Sequence, residues 1–488
     1  MNQRTQTAVF HQIVDDVVAG EPVIVDRATT VADAVGQMAA SGATAVIVTE
    51  PNQRLAGILT MKDVVNRLAY RVGADTAIAE VMTYPVKTIF KGDYLYHAIA
   101  RMRRFGHNHM PVVDTAGRPV GMLRLSNALA AASARVMDRI DHLTQEGTLD
   151  GLREVKAAQI DLAEDLFNDS LPSPEIQAVL THLNNDINRR VVEINLAKMR
   201  EEGMGDPLAP FAMLMMGSGG RGENFLRPDQ DNGFVLEDYP DKDHTRIDGW
   251  FIDLAERVTR DLDAIGFPLC HGYVMATNPI WRKTPPQWRE QTSMWVRRRT
   301  PFAIRFADIF FDFAWVYGER DLVAGLREHV TEITRRGHAF LLQLYQDNSE
   351  AGVALGWFGR FITDKENPAH KGEINMKHSG TMPLVQAVRL LALKEGVPET
   401  ATLARIDRLR DGGILSENEA DYLTGAFRHI THLLLRSQIQ AVKAGRQPDN
   451  YVNPRGLTER ERDMLVDAFK AIQEFHKRLR SEFTADVF

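Results

Sequence analysis

A single cysteine, Cys270, in 488 residues leaves no partner for an internal disulfide and no thiolate-rich metal centre. That economy fits a reducing compartment. Long apolar runs are missing as well. A spanning helix needs about 18–20 uninterrupted apolar residues, and the richest stretch, 306–316, is broken by Asp308 and Asp312. The first twenty residues lack the basic start and apolar run of a secretory leader, since His11, Asp15 and Asp16 interrupt them. A net charge of −7 also lacks the positive excess of a surface built for nucleic acid. These absences predict a cytoplasmic protein with neither membrane nor nucleic acid as partner. Hydrophobic residues at 44% and charged residues at 25% then predict ordinary globular domains, about three at this length.

An internal repeat occupies the front of the chain. Gly42 and Gly106 stand 64 residues apart, and so do Gly57 and Gly121; Ala34 and Met38 recur as Ala98 and Met102. Each unit reads as an amphipathic helix (31–40, then 94–105) closed by glycine. An apolar strand, a turn, a second strand opening at Gly57 or Gly121, and another helix follow.

This pattern resembles a tandem pair of cystathionine-β-synthase-type (CBS) domains over residues 8–138, with units of about 8–72 and 73–138. The resemblance implies clefts for an adenine nucleotide (AMP, ADP or ATP) and a homodimer formed through the pair. Thr60 and Asp63 match the residues that hold ribose hydroxyls in that family. The second unit departs from it, with Arg124 and Asn127 at those places, and Arg124 could face a phosphate instead. Against this stands a plainer reading, in which Thr60 is a strand residue and Asp63 a helix cap.

Helical periodicity, with Ile187, Val191 and Ile194 among its apolar positions, predicts connecting helices over 139–200. The chain then changes character. The apolar run 211–216 reads as a buried strand, and it leads into Gly217-Ser-Gly-Gly-Arg-Gly-Glu223. Eight residues past Arg221 come Asp229 and Asp231, running into a second apolar strand. Small residues at a strand-to-helix turn expose backbone N–H groups to a phosphate. Ser218 adds a hydroxyl and Arg221 a permanent charge. Aspartates at i and i+2 of an extended chain share a face, where two carboxylates suit a hard divalent cation. A third carboxylate is expected from 307–316, read as a strand: Asp312, with Asp308 as rival on the same face.

Gly217-Ser218, Asp229-x-Asp231 and the later Asp312 together resemble the polymerase-β-type nucleotidyltransferases. Within them, the segments 275–278, Trp281-Arg282 and 310–312 are similar to a signal-transduction branch often fused to CBS pairs and related to the uridylyltransferase of the nitrogen-regulatory protein. The resemblance implies that Asp229, Asp231 and Asp312 ligate Mg²⁺ or Mn²⁺ and carry catalysis, and that Gly217, Ser218 and Arg221 hold the triphosphate of an NTP. Two residues depart from the pattern: Gly220 stands where an acid is expected, and Asn224 replaces a Gln.

Beyond Leu341 the spacing predicts four or five helices, broken at Gly412-Gly413 and Gly445. Lys377 lies in a connecting segment that the resemblance brings near phosphate, although a solvated lysine is the alternative. Trp281 could stack on a base or serve the core, and His429 and His432 read as helix-face residues rather than metal ligands. The expected architecture is α+β multidomain: the tandem CBS pair, a helical connector, a polymerase-β-like α/β core over 201–335 and a helical bundle over 336–488. The expected reaction moves a nucleoside monophosphate from NTP to a hydroxyl, on a signalling protein by analogy, under control of adenine nucleotide at the CBS pair. The rival is a non-catalytic nucleotide-sensing scaffold that recruits a partner protein.

Overall fold

The computed structural model describes residues 14–18, 22–64, 67, 72–93, 98, 101–102, 107–114, 116–125, 127, 148–348 and 352–485. The helix expected over 94–105 and the start of the connector at 139–147 fall largely outside them. The chain divides into two compact units, Met1–Asp141 and His142–Phe488.

The first unit repeats one small sheet. β1 (Ile24–Asp26) runs parallel to β2 (Ala45–Thr49), which pairs antiparallel with β3 (Leu55–Thr60). β4 (Ile89–Phe90), β5 (His109–Val113) and β6 (Pro119–Arg124) repeat that order, direction and bulge position. Helix α1 (Val31–Ser41) begins at Thr30, whose hydroxyl accepts from the Asp33 N–H, and ends at Gly42 in the left-handed region. The repeated glycines have a steric reason. A Cβ on Gly57 would lie 2.2 Å from Met82 Sδ, and one on Gly121 would lie 2.2 Å from Val18 Cγ1. Met82 and Val18 are themselves one repeat apart, so each half fills the other's glycine gap. After β3 come the short α2 (Met61–Asp63) and, further on, α3 (Ile78–Val81).

The second unit opens with a helical hairpin, α4 (Leu149–Asn168) and α5 (Ser173–Glu201). Its central sheet has the order β10-β7-β8-β9, from β7 (Phe211–Met215), β8 (Asn232–Leu236), β9 (Arg282–Lys283) and β10 (Ala314–Gly318). β7 lies antiparallel to both β8 and β10, and β8 pairs parallel with β9. β7 is buried on both faces, which is why it reads as a continuous apolar run. Phe211, Met213 and Met215 pack toward α5 and α7 (His244–Ile265). Ala212, Leu214 and Met216 face the other way. There they share one core with α8 (Pro285–Arg298), α9 (Pro301–Phe310), α10 (Arg320–Arg335) and the C-terminal helices. Those are α11 (His338–Asn348), α12 (Met382–Glu395), α13 (Thr402–Asp411), α14 (Glu417–Lys443) and α15 (Glu459–Ala485).

One element differs from expectation. Residues 307–316 are not a strand: α9 runs to Phe310, and β10 begins only at Ala314. Thr300 caps this helix, Pro301 occupies its first turn, and Ala303, Ile304, Ala307 and Phe310 form a buried stripe at helical spacing. Asp308 therefore sits on a helix, and Asp312 in the two-residue turn between α9 and β10.

Candidate active site

The glycine-rich turn is α6 (Gly217–Arg221), a single turn between β7 and Gly222. Two of its glycines are required. Gly217 has a φ of 56°, and a Cβ there would stand 2.9 Å from Asp231 Oδ2. A Cβ on Gly220 would lie 1.7 Å from the Asp312 carbonyl oxygen, so no acidic side chain fits where one was expected. Helix α5 holds the far end of the turn. Gln177 Nε2 donates to the Glu223 carbonyl at 2.9 Å, and the Asn224 N–H donates to Thr181 Oγ1 at 3.0 Å. Ser218 Oγ donates to Asn224 Oδ1 at 3.0 Å, which gives the substituted Asn224 a positioning part.

Asp229 and Asp231 precede β8 in an extended segment. Between them Gln230 turns inward, its Nε2 donating to the carbonyls of Thr259 and Phe267. The i, i+2 alternation thus puts both aspartates on the opposite face, as the spacing predicts. With Cys270 they form a group whose donor atoms all lie within 4.8 Å of one another. Burial first, then the Asp229 charge, pushes the Asp231 carboxyl up to about 7; Cys270 and Lys377 oppose them. The Cys270 thiol is pushed up to about 12 by burial and by Asp231. Two facing carboxylates that form no ion pair within 4.0 Å among the described residues have the chemistry of a divalent-ion site. The gap kept open by Gly217 is consistent with that use.

Asp312 does not join them. It is fully buried and ringed by guanidinium groups: Arg221 Nη1 at 2.8 Å, Arg389 Nη1 at 2.7 Å and Arg405 Nη2 at 2.7 Å. Burial works against its charge, but Arg405, Arg389 and Arg221 outweigh it and hold the carboxyl well below the usual range. Its charge is balanced by these arginines, which gives the expected third ligand the place of a buried counter-ion, although its Oδ1 faces Arg405 without a hydrogen bond. Its rival Asp308 is likewise bound to Arg389. Arg221 is engaged on both sides, since its Nε also donates to Glu223 Oε2 at 2.7 Å. Burial would lower its affinity for the proton, yet Glu223 and Asp312 raise it. It braces the turn internally more than it reaches for a phosphate.

The cleft beside the turn, about 120 Å³, is lined by Ser218, Arg221, Arg227, Asp229, Lys377 and Asp449 among others. Lys377 therefore lies with the acidic pair, at the head of a wide, π-helical turn before α12. Arg227 is a cation that belongs to no motif legible in the sequence, because nothing in its neighbourhood marks it. Neither Arg227 nor Lys377 makes an ion pair among the described residues. Trp281 is fully buried and donates to the Tyr273 carbonyl, which places it in the core. His429 bonds the Glu461 carbonyl and His432 stacks on Phe167, as helix-face residues do.

In the repeat unit, Thr60 and Asp63 make a capping box at the start of α2, with Arg67 bound to Asp63 at 3.0 Å. Both also line a cleft of about 510 Å³ with Thr44, Lys62, Lys87 and His109. Arg124 was expected in the cleft of the second unit, not in this one. It ends β6 opposite His109 in the strand register.

Comparison with known families assigns these regions. The family described as "Putative nucleotidyltransferase DUF294" matches residues 157–302, and the "Putative nucleotidyltransferase substrate binding domain" matches residues 338–483. CBS domains match residues 14–70 and 78–134. An uncharacterised protein of Methanocaldococcus jannaschii is 36% identical over 92 residues, 19% of this chain and 22% of that one. A CBS domain-containing protein of Arabidopsis thaliana is 29% identical over 114 residues, 23% of this chain and 21% of that one. The chain thus spans about a fifth of the length of these curated relatives. Among solved structures, a CBS domain protein from Pyrobaculum aerophilum complexed with AMP has 19% identity and a TM-score of 0.24, covering 25% of this chain and 98% of that one. A CBS pair in complex with 5′-methylthioadenosine and S-adenosyl-L-methionine has 21% identity, the same TM-score and the same coverage.

Proposed function

This chain is a CBS pair joined to a nucleotidyltransferase of the DUF294 family and its substrate-binding domain, and on that premise we propose that it transfers a nucleoside monophosphate from an NTP to a hydroxyl acceptor. The observation that carries the reading is the facing pair Asp229 and Asp231 at the mouth of a glycine turn, beside two cations, Arg227 and Lys377, that make no ion pair among the described residues. In this reading Ser218, Arg227 and Lys377 hold the triphosphate, and Gly217 leaves room for it above Asp231. Arg221 and Asp312 support the turn from beneath. Asp229 and Asp231 hold Mg²⁺ or Mn²⁺, which supplies charge stabilisation at the α-phosphate and the departing pyrophosphate. The acceptor oxygen bonds to the α-phosphorus as the bond to pyrophosphate breaks, and Asp229, exposed in the cleft, is the carboxylate placed to take the hydroxyl proton.

The acceptor we propose is a side-chain hydroxyl of a signalling protein, entering between the core and the C-terminal helices. This rests on analogy with the uridylyltransferase that the motifs resemble. Adenine nucleotide would bind the cleft of Thr60 and Asp63 and regulate transfer, in a cytoplasmic homodimer joined through the CBS pair. The test is label transfer from the four α-³²P-labelled NTPs to a lysate, with Asp229→Asn and Asp231→Asn as controls. A product that depends on both carboxylates supports the reading.

One observation favours the rival, a non-catalytic nucleotide sensor: the third carboxylate of the family pattern is sealed by arginines. NTP binding without carboxylate-dependent label would select that rival.

A further inference from the structure

We propose that Asp449 reads the sugar of the nucleoside triphosphate: its carboxylate accepts hydrogen bonds from the ribose hydroxyls and sets a preference for ribonucleotides over their deoxy counterparts. The inference deepens the reading above and rests on it, because it needs an NTP in the cleft of Arg227 and Lys377.

The chain fixes this carboxylate from two sides. β11 (Ile374–Asn375) pairs antiparallel with β12 (Tyr451–Val452), and Asn375 stands opposite Tyr451. The Met376 N–H continues the pairing by donating to the Asn450 carbonyl at 2.8 Å. Lys377 and Asp449 come next on the two segments, and both line the cleft. Gln438 supplies the second tie. Its Nε2 donates to the Asp449 carbonyl at 2.9 Å, and its Oε1 accepts from the N–H of Leu226, the residue before Arg227, at 3.3 Å.

The side chain is half committed. Asp449 Oδ1 accepts from the Tyr451 N–H at 2.8 Å. Tyr451 is itself held, with its ring stacked 3.8 Å from that of His370 and its hydroxyl donating to Asp364 Oδ2 at 3.0 Å. Asp449 Oδ2 has His370 Nε2 at 4.0 Å, too far for a hydrogen bond. One oxygen therefore anchors the group while the other keeps its capacity to accept.

Charge selects the part of the ligand that this oxygen can serve. Among the described residues the ion-pair partner of Asp449 is His370, not Lys377 or Arg227. Nor does Asp449 close a three-donor group with Asp229 and Asp231, so a shared cation does not account for it. A carboxylate repels the phosphates that Arg227 and Lys377 attract, which leaves it the neutral parts of a nucleotide. The same cleft has an apolar lining of Phe225, Met382, Val385 and Phe427, suited to the faces of a base. The sugar joins base to phosphate, and its hydroxyls are the donors that a carboxylate takes in short, charge-assisted hydrogen bonds.

The test is titration calorimetry of the full-length protein with the four NTPs and their 2′,3′-dideoxy counterparts. Binding that is lost in the Arg227→Ala/Lys377→Ala double variant belongs to this cleft rather than to the CBS pair. The unaltered protein should hold its preferred NTP on the order of tenfold more tightly than the dideoxy analogue. Asp449→Ala should lower the ribonucleotide to the affinity of the analogue and leave the analogue's own affinity unchanged. Asp449→Asn keeps an oxygen for the Tyr451 N–H and should lose part of the preference, which decides where the alanine variant fails to fold. Equal affinity for the two ligands in the unaltered protein, or Asp449 variants that weaken both alike, would overturn the proposal and leave the nucleotidyltransferase reading intact. No binding that depends on Arg227 and Lys377 would overturn both.

Discussion

Asp312 and Arg405 meet at 2.7 Å with both side chains buried, one from the turn before β10 and the other from α13 in the C-terminal helices. The contact is an ion pair rather than an aligned hydrogen bond, and it closes a ring of guanidinium groups that also includes Arg221 and Arg389. Through Arg221 the same ring reaches the glycine turn. Two further contacts run from the C-terminal region to that turn: Thr400 Oγ1 donates to the Gly220 carbonyl, and the Thr402 N–H donates to Glu223 Oε1, both at 2.7 Å. The C-terminal helices and the glycine turn are thereby tied together by hydrogen bonds and ion pairs.

Asp312→Asn takes from buried Arg405 its one anionic partner among the described residues, while Arg221 and Arg389 keep Glu223 and Asp308. Removing one member of a buried ion pair costs about 3–5 kcal/mol, so the urea midpoint should fall sharply. A residue whose main task was to ligate a substrate metal would show the reverse pattern, with transfer lost and stability unchanged or raised. Denaturation curves of Asp312→Asn beside Asp229→Asn separate the two roles.

Arg227→Ala and Lys377→Ala should each weaken NTP binding about tenfold, which corresponds to about 1.4 kcal/mol. Neither side chain makes an ion pair among the described residues, so the melting temperature should hardly move. Titration calorimetry with a non-hydrolysable NTP checks both. Unchanged affinity in the double variant would remove these residues from the triphosphate site.

Gly217→Ala forces a left-handed backbone onto alanine, at about 1 kcal/mol or more, and pushes a methyl group against the Asp231 carboxylate. Ion affinity should drop in this variant even where the fold survives. Manganese EPR on the purified variant reads that loss directly.

Lys156 is buried beneath the site, bonded to Gln159, Asn184 and the Leu226 carbonyl, and burial pushes its ammonium down to about 7. The unfolded chain holds that proton to about pH 10.4. Between about pH 7 and 10 the unfolded state therefore binds more protons, and stability should rise with pH by up to about 1.4 kcal/mol per unit. Lys156→Gln should flatten this slope. Equal slopes in variant and parent, from urea titrations at pH 7 and 9, would contradict it.

In the CBS pair, Asp63→Ala should abolish most AMP binding, whereas Arg124→Ala should leave it unchanged, because Arg124 does not line the cleft. The same Asp63 variant loses a capping box, worth about 1 kcal/mol, so affinity has to be measured well below its melting temperature.

Local chemistry made much of this protein legible in its sequence. The 64-residue repeat fixed two like sheets, because each glycine sits where the other half intrudes. The strand, glycine turn and acidic pair followed from periodicity and from the i, i+2 rule, which depends only on chain geometry near Asp229 and Asp231. The run 307–316 misled because apolar residues broken by two acids suit a buried helix as well as a strand. What Asp312, Arg221 and Cys270 face was decided by tertiary structure alone. Arg389 and Arg405 arrive from helices far along the chain, and no local pattern foretells that three guanidinium groups will converge on one carboxylate. A lone cysteine carries no motif either, and only the folding of its loop against Asp231 brought sulfur within reach of both acids.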